Sequence, residues 1–508
     1  MRIRNVAIAT AVTAAAAGAI GIPVVHAALS DDGRPVTSPS AQRPTPETLR
    51  DDFNGDGYAD LVTTTPGAPV GGATGAGQAV VVYGSANGVS PSRSTTLTQG
   101  TGGVPGTAET GDAFGARVTG GDLDGDGYDD LVVAATGEKA DDGGDGSDSV
   151  TGSVTVVWGG AHGLTGGGTA VPTRAVPGGH PFGRDVAVAD LDGDGGENLV
   201  VLGGAGLWTY DDGFTRARPA AATLVTDGLA EEPAGLATGD FTGSGSNGVV
   251  VYGEQDADES GSAWAAVYTG GPDGVAYQRR LTDGTSAVPE TAGVGDLDKD
   301  GFADLVTGAG TTCCQDSVDD PSASGGRITV YYGTEDGLGT GRRRALLHQD
   351  TPGVPGASEW VDHFGAAVSV GDTDADGYAD VAVGVPGEEI GGRAATGSVV
   401  LLKGSAKGLT GTGAQIVHQD TAGVPGTGER KDHFGSAVRL ADTDADGSSD
   451  LAASATGEDV TARATADGAA WVLRGSASGL TTKAATSFSA PKLGLPYRDA
   501  AFASVLNH

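Results

Sequence analysis

Short apolar runs of four to eight residues, bounded by Gly, Pro and Asp, recur along nearly the whole chain. Phe364 to Val370, Val381 to Val385 and Ser398 to Leu402 are representative. Such runs predict strands and are too short for helices. Turn signals repeat with them: Gly84 to Gly88, Gly404 to Gly408 and Gly475 to Gly479 each follow the third strand of a unit, where the chain must reverse. A fourth strand then leads to the next unit.

One polar motif sets the register of these runs. Asp-x-Asp-x-Asp-Gly-x-x-Asp, or a variant of it, starts at Asp52, Asp122, Asp190, Asp240, Asp296, Asp372 and Asp442, at intervals of 50 to 76 residues. A common unit of about 50 residues with loop insertions holds one four-stranded blade. The fold class expected is all-β, a seven-bladed β-propeller over residues 51–508, with the acidic loops between the first and second strands of each blade. The first unit lacks a leading strand such as Phe114 to Val118, whereas Phe502 to Leu506 follows the last unit with no acidic loop behind it. The C-terminal strand is therefore expected to close the ring, which removes open sheet edges.

The loop motif specifies a chemistry. Carboxylates at positions 1, 3, 5 and 9, with Gly at 6 and a backbone carbonyl at 7, bring hard oxygens to one centre, the shell that Ca2+ accepts. Four loops have every acid: Asp122, Asp124, Asp126 and Asp130; Asp296, Asp298, Asp300 and Asp304; Asp372, Asp374, Asp376 and Asp380; Asp442, Asp444, Asp446 and Asp450. Two are weaker, with Asn54 among Asp52, Asp56 and Asp60, and Asn198 after Asp190, Asp192 and Asp194. The Asp240 loop has lost most of its charge. Four to six Ca2+ sites are expected, pinning loops of mutually repelling carboxylates rather than performing catalysis. An EF-hand is excluded because position 12 of the second loop is Val133, inside a strand-like run.

Composition narrows the partners. The 508 residues include 90 Gly and 23 Pro, about 22% together, short of an aperiodic disordered chain. The formal charge is −36, from 30 basic and 66 acidic residues, which argues against nucleic acid and anionic membrane surfaces. Arg2 and Arg4 followed by an apolar, Ala-rich stretch ending at Val25-His26-Ala27 read as a signal peptide over 1–27. Residues 28–50 read as a Pro/Ser/Thr-rich flexible linker, and no later run is long enough to span a membrane. A secreted, extracellular monomer is expected. Adjacent Cys313 and Cys314 suit a strained loop disulfide better than a reactive or ligand-contacting role.

Phe114-Gly115, Phe182-Gly183, Phe364-Gly365 and Phe434-Gly435, with Gly384-Val385-Pro386 further on, resemble the FG-GAP repeat family, the calcium-binding propeller of the integrin alpha-subunit N-terminus and its bacterial secreted relatives. Copies near Ala237 and Val294 lack Phe-Gly, and Ala134-Ala135-Thr136 or Ser454-Ala455-Thr456 replace Gly-Ala-Pro. The resemblance implies the propeller and its calcium sites, but no particular ligand. It also places three matched segments on the face opposite calcium, where integrin propellers bind ligands: Gln99 to Phe114, Gln349 to Phe364 and Gln419 to Phe434. Glu138, Glu388, Glu389, Glu458 and Asp459 are expected on that face, as an acidic recognition surface with Trp360 as an exposed anchor or as solvated loops that brace adjacent blades, the latter favoured. His348, His363, His418 and His433 occupy matched positions and are read as structural. Trp208, Tyr210 and Phe214, with Arg216 and Arg218, read as a strand edge before a sugar-stacking platform.

No GxSxG, HExxH or phosphate-binding loop is present. The function expected is extracellular binding or adhesion to a protein or glycan. The alternative is a hydrolase, phospholipase-like, or a polysaccharide lyase using the propeller face; two acids flanking a pocket would favour it.

Overall fold

The second strands of the blades, among them Leu61–Thr65, Asp130–Ala135, Asp304–Ala309, Asp380–Val385 and Asp450–Ala455, are buried at every residue. Each is packed on both faces, which is why apolar and small residues follow the leading Asp in four of them, while Leu61–Thr65 buries three threonines. Fourth strands are less buried: in Ala222–Val225 the two central residues are exposed and the two ends partly buried. These elements come from a computed structural model describing residues 50–139, 150–165, 167–172, 180–229, 232–255, 262–281, 288–310, 324–341, 344–460, 466–495 and 501–507. The signal-peptide and linker expectations up to residue 49, and that for Cys313 and Cys314, lie outside the described residues.

The strands form seven four-stranded antiparallel sheets, a seven-bladed propeller. Six blades take four consecutive strands each, starting at Phe114–Gly121, His180–Ala189, Glu232–Gly239, Thr291–Gly295, Ala367–Gly371 and Phe434–Ala441. Blades 4 and 5 form their inner strands without Phe-Gly. The hydrophobic core is divided among the interfaces between blades. Val306 and Ile328 of blade 5 pack with Val383 and Val400 of blade 6, and Leu61 and Val82 of blade 1 pack with Ala470, Val472 and Phe488 of blade 7.

Blade 1 has the strand order Val505–Leu506, Leu61–Thr65, Gln78–Val82, Ser94–Leu97. Leu506 pairs with Thr63 and Val505 with Thr64, and Asn507 exchanges hydrogen bonds with the backbone of Val62 at 3.2 and 3.3 Å. Phe502 is fully buried, and its N–H donates to Asp467 O at 2.9 Å, as Phe114 donates to Ala76 O and Phe434 to Thr396 O. Phe502-Ala503 thus occupies the Phe-Gly position of blade 1. The ladder begins after this pair because the Phe-Gly step lies at a bulge, as it does between Phe114 and Arg117. The glycines of that step have φ near +90° (Gly115 +88°, Gly365 +93°), and Ala503 takes +59° in their place.

Candidate metal centres and the opposite face

Antiparallel strands send the first-to-second and third-to-fourth connections to one end of the ring, and the other connections to the opposite end. At the first end, the position 1 carboxylate of every acidic loop folds the loop around itself. Asp122 accepts from Asp126 N–H at 3.1 Å and Gly127 N–H at 2.9 Å, and Asp442 repeats this with Asp446 and Gly447. Asp240 does the same with Ser244 and Gly245 at 3.0 and 2.7 Å, so the loop form survives where its acids are gone.

Position 9 is a buried clasp as well as a candidate ligand. Asp130 accepts from Leu123 N–H at 3.1 Å through one oxygen and from Gly159 N–H at 2.8 Å through the other, tying the acidic loop to the next turn. Asp60, Asp304 and Asp380 repeat both bonds, and Asn198 takes the first, accepting from Leu191 N–H at 2.7 Å. Burial outweighs these hydrogen bonds and pushes Asp60 and Asp130 up to about 8, Asp304 to about 7 and Asp450 to about 6.

Carboxylate oxygens converge in five loops: Asp122, Asp124 and Asp130; Asp190, Asp192 and Asp194; Asp296, Asp298 and Asp300; Asp372, Asp374 and Asp380; Asp442, Asp444 and Asp446, each set within 4.8 Å. Three acids are not gathered in the first loop, where Asn54 holds position 3, nor in the Asp240 loop, among the described residues. The position 3 residues Asp124, Asp374 and Asp444 each keep a buried Oδ1 without a hydrogen-bond partner, although each Oδ2 is paired. An oxygen-preferring cation fits these sites, since it would satisfy the orphaned oxygens.

Basic side chains also enter these loops. Lys403 Nζ lies 2.6 Å from Asp374 and 2.7 Å from Asp380, Arg474 pairs with Asp444, and Arg93 lies 2.9 Å from Asp56. Arg216 crosses from blade 3 to Asp124 and Asp126 of blade 2 at 3.1 and 2.7 Å, over the Trp158 ring. Sequence reasoning missed these contacts, and Arg216, 90 residues from Asp126, left no local signal. The sugar-stacking alternative for its neighbours is corrected: Tyr210 and Phe214 are 1% exposed and pack on each other in the core.

At the opposite end, Gln99, Gln349 and Gln419 donate to Glu138, Glu388 and Glu458 at 2.5, 2.5 and 2.6 Å, linking blades 1 to 2, 5 to 6 and 6 to 7. This is the bracing role. Its signal was the constant spacing of 39 residues. Burial pushes Glu458 up to about 7, helped by the Asp432 charge, and raises Asp362 to about 7. His363 and His433 place Nδ1 3.2 Å from the carbonyls of Gly310 and Pro386 on neighbouring blades, a structural role.

The FG-GAP repeat family model matches residues 49–82, 114–157, 288–331 and 364–402, in blades 1, 2, 5 and 6, so the chain carries FG-GAP repeats. Integrin alpha-8 of Mus musculus is 30% identical over 150 residues, which is 29% of this chain and 12% of that protein. Among solved structures, an Agrocybe aegerita lectin that recognises non-reducing terminal N-acetylglucosamine is 15% identical, covering 87% of this chain and 93% of its own, with a TM-score of 0.46. The exotype rhamnogalacturonan lyase YesX is 15% identical, covering 90% and 75%, at 0.39. Likenesses this distant carry neither ligand nor reaction across. No helix among the described residues is long and apolar enough to cross a membrane.

Proposed function

We propose that this FG-GAP repeat propeller is a secreted binding module, stabilised by Ca2+ at one end of the ring and presenting its ligand surface at the other. In this reading residues 1–27 direct export, residues 28–50 tether the ring, and the mature protein is a monomer that binds an extracellular protein or glycan.

The observation that supports it is the contrast between the two ends. One holds five convergent carboxylate sets and turns repeated almost residue for residue, with Ser85, Ser405 and Ser476 each donating to the glycine three residues on. The other keeps a repeated brace and varies what stands exposed upon it. When bound, Ca2+ supplies positive charge that offsets carboxylate repulsion. The chain supplies the rest: position 1 folds each loop, position 9 ties it to the neighbouring turn, and position 3 holds an oxygen ready.

A hydrolase or lyase would need two carboxylates flanking a cavity. One pocket lies by the Asp240 loop, lined by Phe241, Thr242, Ser246, Tyr268 and Gln278 among others, without a carboxylate. The acids with raised pKa on the opposite face are held in hydrogen bonds, Glu138, Glu388 and Glu458 in the braces between blades and Asp362 and Asp432 within their own connections. Binding is therefore the preferred reading. An array of glycans and extracellular proteins probed with the full chain, in calcium and in chelator, tests it. Specific capture in calcium supports the reading, and turnover of an arrayed polysaccharide or lipid would replace it with the enzymatic one.

A further inference from the structure

Three connections between blades share one skeleton. The N–H groups of Glu109, Glu359 and Glu429 donate to Oδ2 of Asp112, Asp362 and Asp432 at 2.5, 2.6 and 2.5 Å. In each segment the Glu and the next two residues are exposed and the Asp is buried. The displayed pair alone differs: Thr110-Gly111 in blade 2, Trp360-Val361 in blade 6, Arg430-Lys431 in blade 7. A constant support with a changing tip separates holding from presenting.

The last two tips are chemically unusual for this molecule. Trp360 is 45% and Val361 55% exposed, two of the five exposed large hydrophobic residues among those described. Arg430 and Lys431 are exposed, and their side chains make no ion pair or hydrogen bond within the described residues; Glu429 beside them and Glu359 and Glu389 in the neighbouring tip and loop are exposed too, so an anionic ligand would be held here by these two local cations against the net charge of −36. Lys431 also holds φ +70°, where blade 2 has Gly111 at +89°. A side chain in that conformation carries a backbone penalty that Gly111 avoids.

Both tips flank one blade 6 loop. Gly387 N–H donates to Asp362 O at 2.9 Å beside the Val361 carbonyl, and Lys431 N–H donates to Ala394 O at 3.1 Å. We propose that Trp360-Val361 and Arg430-Lys431 form one recognition surface for a carboxylate-bearing glycan chain, a uronate polysaccharide, lying across the loop between them. This rests on the reading of that end as the ligand face. An exposed indole offers a flat apolar platform with a polar edge, suited to the apolar face of a pyranose. The guanidinium can take a carboxylate bidentately and the ammonium can take a second as a point charge. A protein partner of ordinary size would need an interface of about 20–30 residues a side with an apolar core. One apolar dipeptide is too little for that, and enough for a narrow chain.

The test uses the full chain in calcium with oligogalacturonate, alginate and hyaluronan, carboxyl-reduced oligogalacturonate and poly-glutamate as probes. At least one uronate chain is expected to bind, and carboxyl reduction should weaken oligogalacturonate binding about tenfold or more where that chain binds. Trp360→Ala and the double variant Arg430→Ser, Lys431→Ser should each lose about tenfold at unchanged melting temperature, while Thr110→Ala keeps full binding. Undiminished binding in those variants overturns the site, and poly-glutamate bound as tightly overturns the glycan in favour of an acidic peptide. If no uronate chain binds but another ligand is lost on Trp360→Ala, this inference fails and the reading of the face survives. Ligands captured only at the acidic-loop end sink both.

Discussion

Arg439, on the inner strand of blade 7, donates to Asp51, at the start of blade 1, across 2.9 Å and 388 residues of sequence. The Asp51 side chain is 2% exposed and that of Arg439 16%, so the pair is shielded from water where the first and last blades meet. Arg439→Ala leaves a buried carboxylate without its partner and should destabilise by about 3 kcal/mol. Urea unfolding measures this; a variant as stable as the parent would show that the pair contributes nothing to the junction.

Phe502-Ala503 occupies the Phe-Gly place of blade 1, with Ala503 at φ +59°. Ala503→Gly should raise stability by about 0.5–1 kcal/mol, because only glycine adopts that region without penalty. Deleting residues 501–508 removes Phe502 and the paired strand together, so solubility and melting temperature should fall. Deleting residues 28–48 is the control. Equal behaviour of the two truncations would refute closure by the C-terminal strand.

Chelation should lower the melting temperature substantially, since it leaves the converging carboxylates to repel one another. Asp374→Ala should lower the bound-metal count, whereas Asp240→Ala should leave it unchanged and cost about 1 kcal/mol through its lost amide bonds. Lys403→Met should tighten divalent binding at the Asp372 loop by about tenfold or more, because it removes a cation from beside Asp374 and Asp380. Melting curves read the chelation effect and the Asp240→Ala stability, titration calorimetry reads metal count and affinity in the three variants, and weaker calcium binding in Lys403→Met would contradict the competition.

The brace acids give stability a pH dependence of definite sign. Folding raises Glu458 to about 7, so the fold favours its protonated form. That contribution is present below the ordinary carboxylate range and is lost as pH rises through about 7. In saturating calcium, Glu458→Gln cannot titrate and keeps an acceptor for Gln419. Its melting temperature should gain on the parent's between about pH 5 and about pH 8. A constant difference across that range would remove Glu458 from the account.

Local pattern carried most of the fold. Asp-rich loops at matched intervals gave the seven blades, and Phe502 to Leu506 pointed to the strand now found beside Leu61–Thr65. The weakness of the Asn54 and Asp240 loops as carboxylate clusters could be read from their residues, and the Asp190 set converges in spite of Asn198. Contacts beyond one loop were hidden. Arg216 reaches Asp124 from another blade, and within blade 2 the second bond of Asp130 goes to Gly159, 29 residues on. Composition and spacing within one loop contain neither partner. A constant offset, such as the 39 residues from each Gln to its Glu, is the one trace such pairings leave when they repeat.

Asp51 and Asn507, near the two ends of the described ring, both lie at blade 1, and this sets how the ring responds to a pull. Tension arriving through the N-terminal segment meets Asp51, which Arg439 holds to blade 7, so the load passes to a neighbouring sheet before the blade 1 ladder is strained. Tension on the C-terminal strand falls on two ladder pairs and the Asn507–Val62 bonds. Tethered from the front, the ring hangs from a cross-link between blades; tethered from the back, it hangs from a short zipper.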